Sequence, residues 1–225
     1  MNSKELLARF IVDEEIIRFG SFKLKSGRIS PYFFNFGGLS DAGLLFRLAQ
    51  YYAAHIKSSG VERYDVLFGP AYKGIPLVVS TAIALSKEQA LLPYSFNSKE
   101  AKAYADGGLI VGSNLKGKKV LAVDDVITSG RTIQESKSIV EDAGGQLAGY
   151  LVALDRCEKM LDLDDSAVSR SYKQYGVKCT AVSDIWAVLH YMRSLTVHQD
   201  NVRRMEDYLE QYAAAPVDAW NEVAS

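Results

Sequence analysis

The chain of 225 residues is 48% hydrophobic and 24% charged, the balance of an ordinary globular protein, and its length suits one α/β domain better than two. Its formal net charge of −1 supplies no broad basic field for nucleic acid or an anionic membrane surface, so any phosphate must be held by a local site. Two isolated cysteines, Cys157 and Cys179, are too few for a disulfide framework or a zinc cage and read as free thiols of a reducing cytoplasm.

Charged residues from Lys4 to Glu15 interrupt the start of the chain, which therefore lacks the apolar core of a signal peptide. The longest apolar stretch, Ile75 to Leu85, is too short to span a bilayer. The expectation is a cytoplasmic protein with no membrane and no nucleic-acid partner. No repeat or Pro/Gly/Ser-rich linker divides it.

In chain order, Leu6, Leu7, Phe10 and Ile11 fit one face of an N-terminal helix. A second helix is expected over Ala42 to Ile56, capped by Asp41 or Ser40. Val66 to Phe68 reads as a short buried strand stopped by Gly69-Pro70, followed by a helix from about Ile75 to Leu85 and a strand around Leu91 to Ser95. Val120 to Val123 is the next strand. The helix after it carries Ile133, Ile139, Val140 and Ala143 and ends at Gly144-Gly145; Leu147 to Leu154 returns as a strand. Val202, Met205, Leu209 and Tyr212 have the spacing of a last helix, and 213–225 reads as a tail.

Alternating strands and helices imply a parallel sheet with right-handed crossovers, whose ligands bind beyond the carboxyl ends of the strands. That rule directs attention to Gly69 to Lys73, Asp124 to Thr132, and Asp155-Arg156. The most informative of these is Val120 to Thr132. A buried strand delivers Asp124 and Asp125, a loop of small and hydroxyl residues follows, and a helix begins. Amides at that helix start, with the hydroxyls of Thr128, Ser129 and Thr132, suit a phosphate dianion, and Gly130 lets the backbone come close to it. Carboxylates repel phosphate but accept hydrogen bonds from sugar hydroxyls and suit a ribose carbon that becomes cationic. Two other readings are a plain strand end with a helix cap, and a phosphoacceptor carboxylate site. The second usually has its acidic pair near the chain start and lacks the Thr-Ser-Gly-X-Thr loop.

The segment resembles the signature by which type I phosphoribosyltransferases bind phosphoribosyl pyrophosphate (PRPP): an apolar strand, two acidic residues for the ribose hydroxyls, then a 5′-phosphate loop. Four further segments resemble the orotate phosphoribosyltransferase branch of that family: Leu24 to Arg28 with Pro31 to Asn35, Gly69 to Pro76, Phe96 to Lys102, and Leu154 to Arg156. The resemblance is collinear over about residues 4 to 212. It implies an α/β fold with a central, mainly parallel sheet flanked by helices, in one domain over 1–212. An N-terminal hood would occupy about 1–40 and a flexible lid loop about 97–108.

By this resemblance Lys25 reaches PRPP, Tyr72 and Lys73 bind pyrophosphate, and Ser98, Lys99, Lys102 and Tyr104 belong to the lid over it. Asp124, Asp125, Val126 and Ile127, then Thr128, Ser129, Gly130, Arg131 and Thr132, form the ribose-phosphate site. Phe33, Phe34, Thr128 and Arg156 face orotate, a flat anion that calls for an aromatic face and a cation. Lys102, Asp124 and Asp125 are the expected catalytic residues. The resemblance also implies Mg2+ held mainly by substrate oxygens and water rather than by a protein cage, and a homodimer whose lid closes on the neighbouring subunit's site. The family lid reads Asn-Arg-Lys-Glu-X-Lys-X-His-Gly, whereas this chain has Ser98, Tyr104 and Ala105 in place of the arginine, histidine and glycine. That departure leaves open a transferase for another base, or a non-catalytic regulator that binds PRPP or a nucleotide.

Overall fold

The computed structural model describes residues 2–58, 63–86, 92–98, 109–127, 130–161 and 163–214. Asn2 opens α1 (Ser3–Asp13), its side chain accepting from the Glu5 amide at 3.0 Å. A two-stranded antiparallel ribbon follows, β1 (Ile17–Lys23) with β2 (Ile29–Phe34). Asp41, rather than Ser40, caps α2 (Ala42–Ser58), accepting from the amides of Gly43 at 2.7 Å and Leu44 at 3.1 Å.

The main sheet has six strands. β3 (Val66–Gly69) leads into α3 (Gly74–Ser86), then come β4 (Tyr94–Asn97) and β5 (Ile110–Gly112). β6 (Lys119–Val126), α4 (Arg131–Asp142) and β7 (Gln146–Asp155) form the next crossover, followed by α5 (Ala167–Tyr175), β8 (Lys178–Asp184), α6 (Ile185–Arg193) and α7 (Gln199–Tyr212). The spatial order is β5-β4-β3-β6-β7-β8, parallel throughout except for the antiparallel edge strand β5. β1, β2, β5, α5, β8 and α6 are elements that the sequence reading did not name. The strand expected around Leu91 to Ser95 is displaced to Tyr94–Asn97, because Pro93 has no amide to contribute and enters only by its carbonyl, which accepts from Leu67 N at 3.0 Å. Leu91 itself lies outside the described residues.

Side-chain alternation along the central strands sorts the core into two layers. Leu121, Val123, Leu151 and Ala153 face one way, packed with α1, α2, α3 and α6; Val120, Ala122, Tyr150 and Val152 face the other, packed with α4 and α5. Each fully buried aliphatic or phenylalanine side chain contributes about 1.5–3 kcal/mol. A Cβ on Gly69 would lie 2.2 Å from Gly74 O, so only glycine lets the start of α3 turn back against the end of β3.

α7 closes over the β1–β2 ribbon, with Val202, Met205, Tyr208 and Leu209 in the same core as Tyr32 and Phe34. Ala213 and Ala214, at the start of the expected tail, make contacts with the domain: Ala213 is buried and bridges Glu158, and Ala214 N donates to Cys157 O at 2.7 Å. These partners lie far back in the chain, so no local pattern marks them. Residues 215–225 of the expected tail lie outside the described residues. Among the described residues no helix is long and apolar enough to cross a membrane.

Candidate active site

β6 runs three residues beyond its expected end, carrying both acidic residues inside the ladder: Asp124 pairs with Val152 and Val126 with Leu154. Because neighbours on a strand point to opposite faces, the two carboxylates part company. Asp124 turns into the layer beneath α4, where Tyr150 OH donates to Oδ2 at 2.9 Å and the Asp125 amide donates to Oδ1 at 2.9 Å. Tyr52 OH holds the Asp124 carbonyl at 2.6 Å. Burial, and then the charge of Asp125, push the Asp124 carboxyl up to about 7. Asp125 turns toward the open side of the strand ends, where Lys73 Nζ lies 2.8 Å from its Oδ2.

β6 ends at Val126 and Ile127 follows it; Gly130 caps α4 with φ +72°. A Cβ there would lie 2.8 Å from the Tyr175 ring, so both the left-handed backbone and the closeness of α5 call for glycine. The Arg131 side chain lies back along α4 against Glu135 at 2.8 Å, and Thr132 is exposed in the first turn. Their amides belong to the N-terminal turn of a helix of 12 residues, which favours anions. Thr128 and Ser129 lie outside the described residues. On the other side of the strand ends, Asn97 at the end of β4 accepts from the Ala71 amide at 2.8 Å, fixing the segment that carries Tyr72 and Lys73. Tyr72 is exposed. The Ser98 amide donates to Leu109 O at 2.7 Å; Lys99, Lys102 and Tyr104 lie outside the described residues.

A cavity of about 990 Å³ lies where the strand ends meet the β1–β2 ribbon. It brings together eight of the expected site residues: Lys25, Phe33, Phe34, Lys73, Asp125, Val126, Ile127 and Arg156. Asp124, Tyr72, Ser98, Gly130, Arg131 and Thr132 do not line it. The two phenylalanines are not equivalent. Phe33 is exposed, against Phe22 at 5.7 Å between centroids, whereas Phe34 is buried and packs on Tyr32 and Phe36. Arg156 is only 6% exposed and lies over Tyr32 with 4.5 Å to the ring centroid. Its Nε donates to Glu158 Oε1 at 2.8 Å and its Nη2 to Ser30 Oγ at 3.1 Å.

Sequence reasoning passed over Glu158 and Lys159, which line the cavity just after β7, and Tyr150 and Tyr52, which hold Asp124. The strand-end rule that selected Asp155-Arg156 reaches Glu158 and Lys159 when carried three residues further. The tyrosines come from distant segments and leave no local signal. Asp155 is itself engaged, accepting from the Cys157 amide and from Ser166 Oγ, and burial raises its pKa. Burial also pushes both cysteine thiols up, so neither is a nucleophile near neutral pH.

A carboxylate paired with a lysine, an exposed phenylalanine and a buried guanidinium line one cavity near the start of α4 and are the kinds of group that a phosphorylated sugar and a flat anion would call for. Residues 39–181 match the Phosphoribosyl transferase domain. The orotate phosphoribosyltransferase of Hahella chejuensis is 45% identical over 204 residues, 90% of this chain and 94% of that protein. That of Pseudoalteromonas translucida is 42% identical over 207 residues, 92% and 95% of the two chains. The solved orotate phosphoribosyltransferase of Francisella tularensis superposes with a TM-score of 0.79 at 35% identity, covering 92% of this chain and 99% of that one. The chain belongs to the orotate phosphoribosyltransferase family, a family of transferases.

Proposed function

We propose that this chain transfers the phosphoribosyl group of PRPP to orotate, giving orotidine 5′-monophosphate and pyrophosphate in pyrimidine biosynthesis. The observation that carries the reading is one cavity lined both by the Asp125–Lys73 pair and by Phe33 with Arg156. A ring nitrogen of orotate attacks C1 of the ribose from one face as the C1–oxygen bond to pyrophosphate breaks on the other, with inversion. The electron pair of that bond leaves with pyrophosphate. Orotate enters as an anion, so the chief task is to stabilise the cationic ribose and the departing charge.

Asp125 accepts from the ribose hydroxyls and, as the carboxylate facing the cavity, sits near the developing positive charge. Asp124 acts from behind, its orientation set by Tyr150 and Tyr52. Lys73, more than half exposed, exchanges its contact with Asp125 for pyrophosphate oxygens. The first turn of α4, with Thr128 and Ser129 before it, receives the 5′-phosphate. Phe33 covers the base and Arg156 meets its carboxylate. Lys99 and Lys102 cover the pyrophosphate and exclude water, whose attack at C1 would waste PRPP.

The donor set suits Mg2+. Of the pair Asp124 and Asp125 only Asp125 lines the cavity, and it would hold the ion there together with substrate oxygens and water. When bound, Mg2+ neutralises charge on the leaving pyrophosphate. A homodimer that shares its lids, working in the cytoplasm, completes the proposal. The family resemblance supports the dimer, and two free thiols suit a reducing compartment.

The test is PRPP-dependent loss of orotate absorbance, with and without Mg2+. Loss of absorbance that requires both PRPP and Mg2+ is expected. A protein that binds PRPP yet consumes no orotate would overturn the assignment and favour the regulator that the Ser98 and Tyr104 departures left open.

A further inference from the structure

The guanidinium of Arg156 is held on three sides. Nε and Nη2 both donate to Glu158 Oε1, Nη2 also donates to Ser30 Oγ, and the flat face rests on Tyr32. Among the described residues the hydrogen bonds of Arg156 use Nε and Nη2, and Arg156 lines the cavity, so Nη1 is the donor left over for a ligand. Glu158 thus fixes which edge of the guanidinium is offered.

Glu158 is in turn governed from α7. Its backbone forms a bridge with Ala213 just past the helix end, and the next amide, Lys159 N, donates to Tyr212 O at 2.8 Å. Its second carboxylate oxygen accepts from Tyr208 OH at 3.1 Å, while its first also accepts from Tyr32 OH at 3.0 Å. Tyr208 is buried, with its ring edge-on to Tyr32 at 5.7 Å. Tyr208 does not line the cavity that contains Arg156 and Glu158.

We propose that Tyr208 and Glu158 are positioning residues for the base. The Tyr208 hydroxyl locks the Glu158 carboxylate, which sets the plane of Arg156 and turns Nη1 toward the carboxylate of orotate. The last helix thereby contributes to base recognition without touching the base. A second consequence is electrostatic. A buried arginine that already shares a carboxylate offers a directed hydrogen bond more than a naked charge, so geometry rather than net charge sets affinity. The inference rests on the orotate reading of the same cavity.

The experiment is steady-state kinetics of the full chain carrying Tyr208→Phe, Glu158→Gln or both. Phenylalanine keeps the ring packing and removes only the hydroxyl. Glutamine keeps the shape but confronts the Tyr208 hydroxyl with an amide that must reorient. The orotate KM should rise about three- to thirtyfold in each single variant, the range expected of couplings carried through a packed network. The PRPP KM should stay close to wild type in both single variants, and the melting temperature should stay close to wild type in Tyr208→Phe; Glu158→Gln leaves the buried Arg156 beside a neutral partner and should melt lower. Because both changes act through one chain of contacts, the double variant should exceed Glu158→Gln by much less than the product of the two effects. An unchanged orotate KM in Tyr208→Phe overturns the inference, as does a parallel rise in both KM values with a fall in melting temperature in that variant. Wild-type protein that fails to consume orotate at all sinks the functional reading instead, so the two failures are distinguishable.

Discussion

Lys73 Nζ lies 2.8 Å from Asp125 Oδ2, joining the loop before α3 to the end of β6. The Asp125 side chain is 8% exposed and that of Lys73 is 58% exposed, so the pair has one rigid member and one that can leave. A substrate that brings phosphate to Lys73 and hydroxyls to Asp125 satisfies both groups when the pair separates.

Asp125→Asn therefore acts on turnover far more than on the fold. The half-exposed Lys73 is screened by water, so the melting temperature should change little. Turnover should drop by about tenfold or more, the loss of at least about 1.4 kcal/mol of transition-state stabilisation. Wild-type turnover in this variant would remove Asp125 from the mechanism.

Asp124→Asn separates the second carboxylate by its pH dependence. The Asp124 carboxyl, ordinarily near 3.8, is raised to about 7 in the fold, by burial first and Asp125 second. Between those values the folded chain holds a proton that the unfolded chain has lost. The group's contribution is thus complete below the unfolded pKa and disappears as pH rises through the folded one. The raised pKa of Asp155 acts in the same direction but is common to both proteins. Melting curves between about pH 4 and pH 8 should therefore fall less steeply with pH in Asp124→Asn than in wild type. Parallel slopes would mean that Asp124 stays ionised in the fold.

Gly130→Ala tests the helix start. The left-handed backbone at φ +72° penalises an L side chain by about 1–2 kcal/mol, and the new Cβ also meets Tyr175. Differential scanning calorimetry should show a melting temperature lower by about 2–8 °C. The PRPP KM should rise while the orotate KM holds. Adding Tyr175→Ala should recover the steric share only, and full recovery would show that the backbone conformation itself is unimportant.

Ser98→Arg tests the departure in the lid motif. Ser98 follows Asn97, whose side chain holds the Ala71 amide beside Tyr72 and Lys73, so a guanidinium there starts near the expected pyrophosphate position. One added charge-assisted contact should tighten the PRPP KM about tenfold, with the gain shrinking at high salt. The orotate KM should not move. No gain, alone or combined with Tyr104→His, would indicate that this loop serves a purpose other than pyrophosphate binding.

Mixing Lys102→Ala with Asp125→Asn protomers tests the shared lid. If Lys102 serves the neighbouring subunit's site, hybrid dimers contain one site with an intact lid and an intact carboxylate, and about a quarter of the wild-type activity should return when subunits exchange at random. Verified exchange without recovery would show that each lid serves its own site.

The β6 segment was legible because its signals are local: an apolar run, two carboxylates, then Gly130 before a helix. α2, α3, α4 and α7 were legible for the same reason, their apolar spacing and end residues lying within a few positions of one another. The difference between Asp124 and Asp125 was not visible. Composition treats adjacent carboxylates alike, and only the ladder to β7, by extending the strand through both, sends one toward Tyr150 and the other toward Lys73. The sheet order, the antiparallel β5 and the ribbon of β1 and β2 depend on hydrogen bonds between distant segments, which leave no periodicity in either partner. Arg156 shows the division most clearly. Its place at the end of β7 follows from sequence, but its orientation comes from Glu158, Ser30, Tyr32 and, through Glu158, Tyr208 on the last helix. A buried cation must find its partners wherever packing brings them, so the sequence alone supplied the charge and only the tertiary structure decided where it points.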